Sequence, residues 1–391
     1  MADTSVVIVG AGPVGLITAL GLARADVDVT VLEAKPAATP GEHDMIYHWT
    51  VLEGLDRLGV LDDMRTAGLV GRLWTVDVPS TGERITIDLS GLASDVAHPY
   101  TVHLSPDRLT EVVLAQLRGH RHATVQWGAR VTDVDADRDG VTVTVEGPHG
   151  SHEVRAHWVV GTDGAHSIVR RNQGIGFPGT TWPHRFVATT TGFDWTEVGF
   201  TEVTYRVDDD CPALAGRIDD LWRFIYAEPR SHPVETIPSR MAAVFRTVLG
   251  ADTDPLLRGW SAYRVHERAA DRFRAGRVLL AGDAAHVTNP TTSLGLAGGL
   301  LDSFALTAVL VSVVHGDHDD SVLDLYASER RRVFWETASP LSSRAMHLLL
   351  GAGSPEHLDE ALEPYRRAAA DPRMLLETYR EFGDLETRSL R

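Results

Sequence analysis

Apolar residues along this chain fall into three kinds of stretch, and each predicts a different element. The first is a short unbroken run, as in Val6 to Val9, Val27 to Leu32, Val159-Val160 and Val278-Leu279-Leu280. Runs this short and this rich in β-branched residues suit parallel strands buried on both faces. The second is alternation, as in Arg84 to Leu89 within residues 70–102, and again over Val125 to Val145 with a turn at Asp137-Arg138-Asp139-Gly140. Alternation predicts strands with one wet face. The third is helical spacing: Leu16, Ala19, Leu20 and Ala23; Val51 to Leu61, ending near Gly59; Pro106 to Leu117 behind Ser105 as N-cap; and most of the chain after Gly298.

Two stretches stand apart. Residues 35–48, with Pro36, Pro40 and Gly41, read as loop. Between residues 180 and 265 helical periodicity fades, and aromatic, arginine and β-branched residues alternate, as in Phe200 to Val207 and Leu221 to Tyr226. That predicts an antiparallel sheet with one face on a cavity. The most apolar segment, Leu300 to Val314, contains Asp302 and Ser303 and is shorter than the roughly 20 residues that cross a bilayer, so it reads as a buried helix.

The first run leads directly into Gly10-Ala11-Gly12-Pro13-Val14-Gly15, then a helix, then a strand ending at Glu33. In such a βαβ unit the first glycine permits a tight turn, the second lets a pyrophosphate approach the backbone, and the third lets helix and strand pack closely. The helix N-terminus offers free N–H groups to phosphate. A carboxylate at Glu33 can accept two ribose hydroxyls; a merely structural glycine turn is the alternative. Gly161-Thr162-Asp163-Gly164 and Gly282-Asp283 also follow buried strands. The first of these makes a turn in its own right, while a carboxylate at the second can bond a ribityl hydroxyl.

Composition narrows the partners. The 391 residues suit two or three domains. Asp and Glu number 54 against 37 Lys and Arg, a formal charge of −17 that repels phosphate backbones and anionic lipid, so neither nucleic acid nor membrane is expected as partner. The single cysteine, Cys211, excludes an internal disulfide and any cysteine-built metal centre; no metal site is expected. A reducing, cytoplasmic setting is the natural reading, and no signal peptide is visible. The one lysine, Lys35, reflects coding bias rather than function.

The three glycine motifs, in this order, resemble the single-component FAD-dependent aromatic hydroxylases of the para-hydroxybenzoate hydroxylase type, over Val6 to about Val333. Residues 159–171 and 276–290 match that family nearly position by position. The resemblance implies an α/β fold: a discontinuous Rossmann-like FAD-binding domain (1–75, 100–179 and 266–340), an inserted antiparallel β-sheet substrate domain (76–99 and 180–265) and a C-terminal helical segment (341–391). It implies non-covalent FAD held by Gly10, Gly12, Pro13, Gly15, Glu33, Asp163, Gly164, Gly282 and Asp283, with Pro290, Gly295 and Leu296 lining the isoalloxazine. It further implies an NADPH- or NADH-consuming monooxygenase that hydroxylates or epoxidises an aromatic or polycyclic small molecule through a C4a-hydroperoxyflavin, in secondary metabolism or aromatic breakdown, as a monomer or homodimer.

The chain departs from the family at the flavin ring. His43 stands where an arginine is usual, Thr292-Ser293 where a glycine pair is usual and Ala297 where an asparagine is usual, and a glutamine expected near Pro106 is missing. These changes predict slow flavin reduction. Candidate catalytic or pocket groups are His43, Tyr47, Tyr205, Arg223, Tyr226 and Pro290, with His48, Trp182, His184 and Arg206 as further wall candidates. His286 reads as structural, and Glu329 to Arg332 as a solvated helix face. Two alternatives stay open: a cyclase or isomerase with a mainly structural flavin, and a non-catalytic flavin-binding module.

Overall fold

A computed structural model describes residues 3–38, 46–148 and 150–387. Five parallel strands form the heart of its first sheet, side by side in the order Val278–Leu280, Gly150–Gly161, Thr4–Val9, Val29–Glu33 and Ala123–Trp127. Val6, Val7, Ile8, Val159 and Val160 are wholly buried, as unbroken apolar runs require. Arg274–Ala275 closes one edge, and a hairpin, Arg130–Ala136 with Val141–Gly147, extends from the first half of the 150–161 strand.

The second sheet also has eight strands, ordered His286–Val287, Leu257–Ala269, Gly179–Thr191, Leu221–Pro229, Ala213–Ile218, Val203–Arg206, Leu73–Val78 and Glu83–Asp88. Neighbours are antiparallel except Val203–Arg206 and Leu73–Val78, which run parallel. One face carries a core of Trp195, Phe224 and Phe245, with Trp195 stacked on Phe224 at 4.4 Å between centroids. The opposite face holds Phe186, Ala188 and Ile225 against Met346 and Leu349. A third, three-stranded sheet joins Ile46–Tyr47, Thr101–His103 and Leu69–Gly71.

Several helical expectations need correction. Helix Ile237–Leu249 lies inside the stretch read as sheet alone. Only one stripe of it is buried (Ile237, Met241, Phe245 and Leu249), so it covers the sheet with a single face. The helix expected over 51–61 is two, Trp49–Arg57 and Leu61–Ala67, broken where Gly59 turns left-handed at φ +58°. Ser105 does precede helix Pro106–Leu117 as N-cap residue, but its side chain makes no capping bond.

The apolar segment near residue 300 belongs to a longer helix, Leu294–Val314, whose 21 residues would suffice to cross a bilayer by length and composition. Its place in the fold is internal: Asp302 and Ser303 are fully buried, and it packs against helices Pro13–Arg24 and Trp49–Arg57. Beyond it come helices Val322–Val333, Ser339–Leu349, Pro355–Ala370, Pro372–Thr378 and Arg380–Gly383. The Glu329 to Arg332 run is not uniformly solvated. Arg332 pairs with Glu329 and Glu336 at the surface, Arg331 donates to the Ala270 carbonyl at 3.1 Å, and Arg330 is 2% exposed.

Candidate active site

The three glycine motifs meet because their strands are neighbours. Val9 is level with Gly161 on one side and Leu32 on the other, and Gly161 is level with Leu280. The turns at Gly10, Thr162 and Gly282, with the carboxylate of Glu33, therefore share one edge at the carboxyl ends of parallel strands. That is where open α/β sheets bind ligands.

Close packing explains the glycines at this edge. A Cβ at Gly15 would stand 2.0 Å from the Gly10 carbonyl oxygen, and one at Gly10, where φ is +107°, would stand 2.6 Å from that of Thr162. Gly12 differs: a Cβ there would meet nothing within 4 Å. Gly12 caps helix Pro13–Arg24 without a side-chain cap, so the first N–H groups of that helix have neither an intrahelical nor a capping side-chain partner among the described residues. Pro13 fills the first helical position. Glu33 Oε2 accepts the Ala11 N–H at 2.8 Å and Oε1 that of Lys35 at 2.9 Å, which aims the carboxylate at the glycine turn. Open space, unpaired N–H donors and a tethered carboxylate suit a dinucleotide.

Asp163 Oδ2 accepts backbone N–H groups from Ile168 at 2.6 Å and Val169 at 3.2 Å, while the buried Oδ1 has no partner among the described residues. Burial pushes the Asp163 carboxyl up against the pull of its bonds to Ser167 and those N–H groups. Gly164, at φ +78°, leaves open space where a Cβ would stand. Close by, basic groups collect on an otherwise acidic protein. His266 is pushed down by burial and by Arg268, Arg264, His166 and Arg230, and Arg170 feels both Asp163 and Arg268.

Gly282 turns at φ +61° and gives its N–H to Asp302 Oδ2 at 2.9 Å; Asp283 is exposed on the same turn. His286 Nε2 lies 2.7 Å from the same Asp302 oxygen, between the rings of Phe273 and Phe334, which is a structural placement. Pro290 opens a short 3-10 turn that ends at Ser293. Ser293 adopts φ +54° and ψ +17°, the left-handed conformation a glycine would take, so this departure leaves the backbone path of a glycine in place. Thr292 is fastened by its hydroxyl to Ser342 at 2.8 Å. Gly295 faces open space, and Leu296 and Ala297 are buried.

Beside Thr292 a cavity of about 810 Å³ opens between the second sheet and the C-terminal helices. Trp74, Val76, Ile87 and Tyr205 supply the sheet side; Leu341, Arg344, Leu348, Tyr365, Tyr379 and Phe382 supply the helical side. Its aromatic wall continues inward: Trp74 lies 5.9 Å from Tyr205 and edge-on to Tyr379, and Phe382 stacks on His48 at 4.9 Å. His48 is fully buried, with Nδ1 against Thr50, and burial pushes it down to about 3, so it stays neutral. Burial pushes the phenols of Tyr205, Tyr365 and Tyr379 up, so all three keep their protons. Arg344 pairs with Glu381 at the rim.

Of the candidate pocket residues, Tyr205 lines this cavity. Arg223 shares the strand face of Ile225, which packs beside Tyr205. Tyr226 points the other way, into the core beneath helix Ile237–Leu249, because successive strand residues alternate faces. Tyr47 is buried in the third sheet. Trp182 bonds Glu267 and leans on His347, Arg206 is held by Asp77 and Asp208, and His184 is half-buried and pushed down by burial. His43 lies outside the described residues. The C-terminal wall residues escaped sequence reasoning. Their signal was the apolar face of helices after residue 339, which any packed helix shows.

A family model described as FAD binding domain matches residues 3–339. The chain is 43% identical over 343 residues to a 6-hydroxy-3-succinoylpyridine 3-monooxygenase of Pseudomonas putida (strain DSM 28022 / S16), covering 86% of this chain and 87% of that protein. The crystal structure of p-nitrophenol 4-monooxygenase PnpA from Pseudomonas putida DLL-E4 superposes with a TM-score of 0.93 at 34% identity, covering 99% of this chain and all of that one. Aklavinone-11 hydroxylase, solved with FAD and aklavinone, gives a TM-score of 0.80 at 27% identity over 92% of this chain and 73% of that one.

Proposed function

Because this chain belongs to the family of FAD-dependent aromatic monooxygenases, we propose that it uses NADPH or NADH to hydroxylate a single-ring hydroxyarene, a phenol or hydroxypyridine carrying a short polar arm. The observation that carries this reading is the cavity: about 810 Å³, mostly apolar, opening at Thr292 beside the turn proposed to face the flavin ring. Relatives named for a hydroxypyridine and a nitrophenol support the single ring.

The residues at the strand edge fit FAD. The N–H groups after Gly12 would hold its pyrophosphate, Glu33 its adenosine ribose, and Gly282 and Asp283 its ribityl chain, with Pro290, Gly295 and Leu296 along the ring. The cluster of His166, Arg264, His266 and Arg268 would receive the phosphates of the reductant. When bound, FAD supplies hydride acceptance and the activation of dioxygen for transfer of one oxygen atom. The chain's own work is positioning, proton holding and dryness. Trp74 and Phe382 stack the aromatic ring and exclude water. Protonated Tyr205 Oη donates to the substrate oxygen. Neutral His48 adds no charge behind that wall.

A screen of hydroxypyridines, nitrophenols and polycyclic phenols, following NAD(P)H loss, O2 uptake and product mass together, tests this. Single-ring substrates should speed NAD(P)H loss and gain one oxygen atom. Conversion without NAD(P)H would mean a cyclase or isomerase, no conversion a binding module, and turnover of polycyclic substrates alone would overturn the single-ring reading. We further propose a cytoplasmic enzyme, consistent with the buried free thiol of Cys211 and checked by cell fractionation, and a monomer or homodimer, checked by light scattering.

A further inference from the structure

One buried guanidinium joins the dinucleotide edge to the wall of the cavity. Arg330 Nε donates to Asp302 Oδ1 at 2.7 Å. Its Nη1 donates to the Leu385 carbonyl at 2.6 Å and the Thr387 hydroxyl at 3.0 Å, and its Nη2 to the Gly298 carbonyl at 3.3 Å. Asp302, fully buried, spends its other oxygen on the Gly282 N–H at 2.9 Å and on His286. Burial alone would push the Asp302 carboxyl up, but His286 and Arg330 outweigh it and hold it low. Leu385 is itself fully buried, three positions beyond Phe382 in the cavity wall.

The arrangement is costly unless complete. A buried charge pair is tolerated only when its remaining donors and acceptors are also met, and removing one partner strands the other. Two of the three bonds that Arg330 and Asp302 make to backbone groups have plain local purposes: Gly282 shapes the turn, and Gly298 belongs to the long helix. Leu385 and Thr387 lie in the tail, and no ligand-binding turn contains them. Undocking the tail would leave two guanidinium donors unmet in a dry site, and releasing the Gly282 turn would weaken the carboxylate that anchors the guanidinium.

We infer that Arg330 is a positioning residue that couples the FAD-binding turn at Gly282 to the docked state of the tail over 379–387. The inference rests on the reading of Gly282 as part of the FAD site. Coupling of this kind is reciprocal: FAD favours the docked tail, and the docked tail favours FAD. The tail in turn completes the aromatic wall through Tyr379 and Phe382.

The test is amide hydrogen exchange on the full-length protein with and without FAD, alongside FAD titration followed by flavin fluorescence. In the native chain FAD should slow exchange over 379–385 by about tenfold, within the usual range of site-to-site coupling. Arg330→Met, of similar length and without donors, should bind FAD yet lose that protection. Arg330→Lys, keeping the charge but not the fork, should restore part of it. If Arg330→Met fails to fold, a chain ending at Gly383 carries the test from the other end: it should bind FAD about fivefold more weakly although no proposed FAD ligand has been removed. FAD binding with unchanged exchange over 379–385, or a shortened chain with native FAD affinity, overturns the inference and leaves the FAD site standing. Failure of the native chain to bind FAD overturns both.

Discussion

The dinucleotide edge and the substrate cavity are built by opposite rules. At the edge, backbone touches backbone: Gly10, Gly15 and Thr162 sit so close that a single methyl group collides with a carbonyl oxygen. In the cavity, side chains from strands Leu73–Val78 and Val203–Arg206 meet side chains from helices more than a hundred residues later. A backbone site needs particular residues at particular spacings. A side-chain wall needs only apolar bulk from several directions, and many sequences supply it. Mutation should therefore be abrupt at the edge and graded in the cavity.

The largest effect expected is from Gly15→Ala. Its Cβ would meet the Gly10 carbonyl oxygen at 2.0 Å and the Thr162 hydroxyl at 2.6 Å, and overpacking against backbone should cost about 3 kcal/mol or more. Urea denaturation of the FAD-free protein should show it, and a native midpoint would mean that the edge tolerates change as the cavity does. Gly12→Ala sharpens it. With nothing within 4 Å, the added methyl should cost only the loss of a good N-cap residue, about 1 kcal/mol, while occupying space proposed for pyrophosphate and weakening FAD by about 1–3 kcal/mol. Equal FAD affinity in the variant and native chains would move the pyrophosphate elsewhere.

Acid tests the other region. His48 and His103 are fully buried, and burial pushes them down to about 3 and about 4. The unfolded chain takes up protons on both near pH 6.5 while the folded chain refuses them, so stability falls as pH falls below that value. Each should cost about 1.4 kcal/mol per pH unit until its folded pKa is reached. Both support the cavity side: His48 beneath Phe382, and His103 by its bond to the Arg217 carbonyl in the second sheet. His48→Phe should flatten the slope of stability against pH by about 1.4 kcal/mol per unit between pH 6 and 4. An unchanged slope would mean that His48 is already charged in the folded protein.

Glu33→Ala should weaken FAD by about 1.5–3 kcal/mol, the worth of hydrogen bonds to a charged group, measured by fluorescence titration. Tyr205→Phe should be mildest: a KM raised by about 0.5–1.5 kcal/mol equivalent, with FAD affinity unchanged. If Tyr205→Phe instead released FAD, the two regions would not be separable.

How much could be read from the chain follows the same division. Strands Thr4–Val9, Val29–Glu33, Gly150–Gly161 and Val278–Leu280, their glycine turns and Glu33 were legible because local spacing dictates them. The register that sets Val9 level with Gly161, and Gly161 level with Leu280, was stated by no one segment; the family resemblance implied only that the three motifs share one FAD-binding domain. Tyr226 was misplaced because aromatic alternation shows that a strand has two faces without saying which one meets the ligand. Arg330 was hidden because a charged run on a helix normally faces water, and only the partner carboxylate of Asp302, buried in the preceding helix, reverses that. Thr292 and Ser293 look like damage to a glycine pair, but Ser293 keeps the left-handed turn.

The helix Leu294–Val314 bears on the order in which this protein is made. Strongly apolar along its 21 residues and buried over more than half of its most apolar window, it depends on neighbours to cover its inward side. Those neighbours, helices Pro13–Arg24 and Trp49–Arg57, leave the ribosome some 240 residues earlier, so the groove that receives the helix can be waiting when it emerges. Splitting one sheet between the two ends of the chain thus works as a schedule. A circularly permuted chain beginning at Gly276 would reverse that schedule, presenting the helix first and alone, and should yield more aggregate on synthesis than the natural order does.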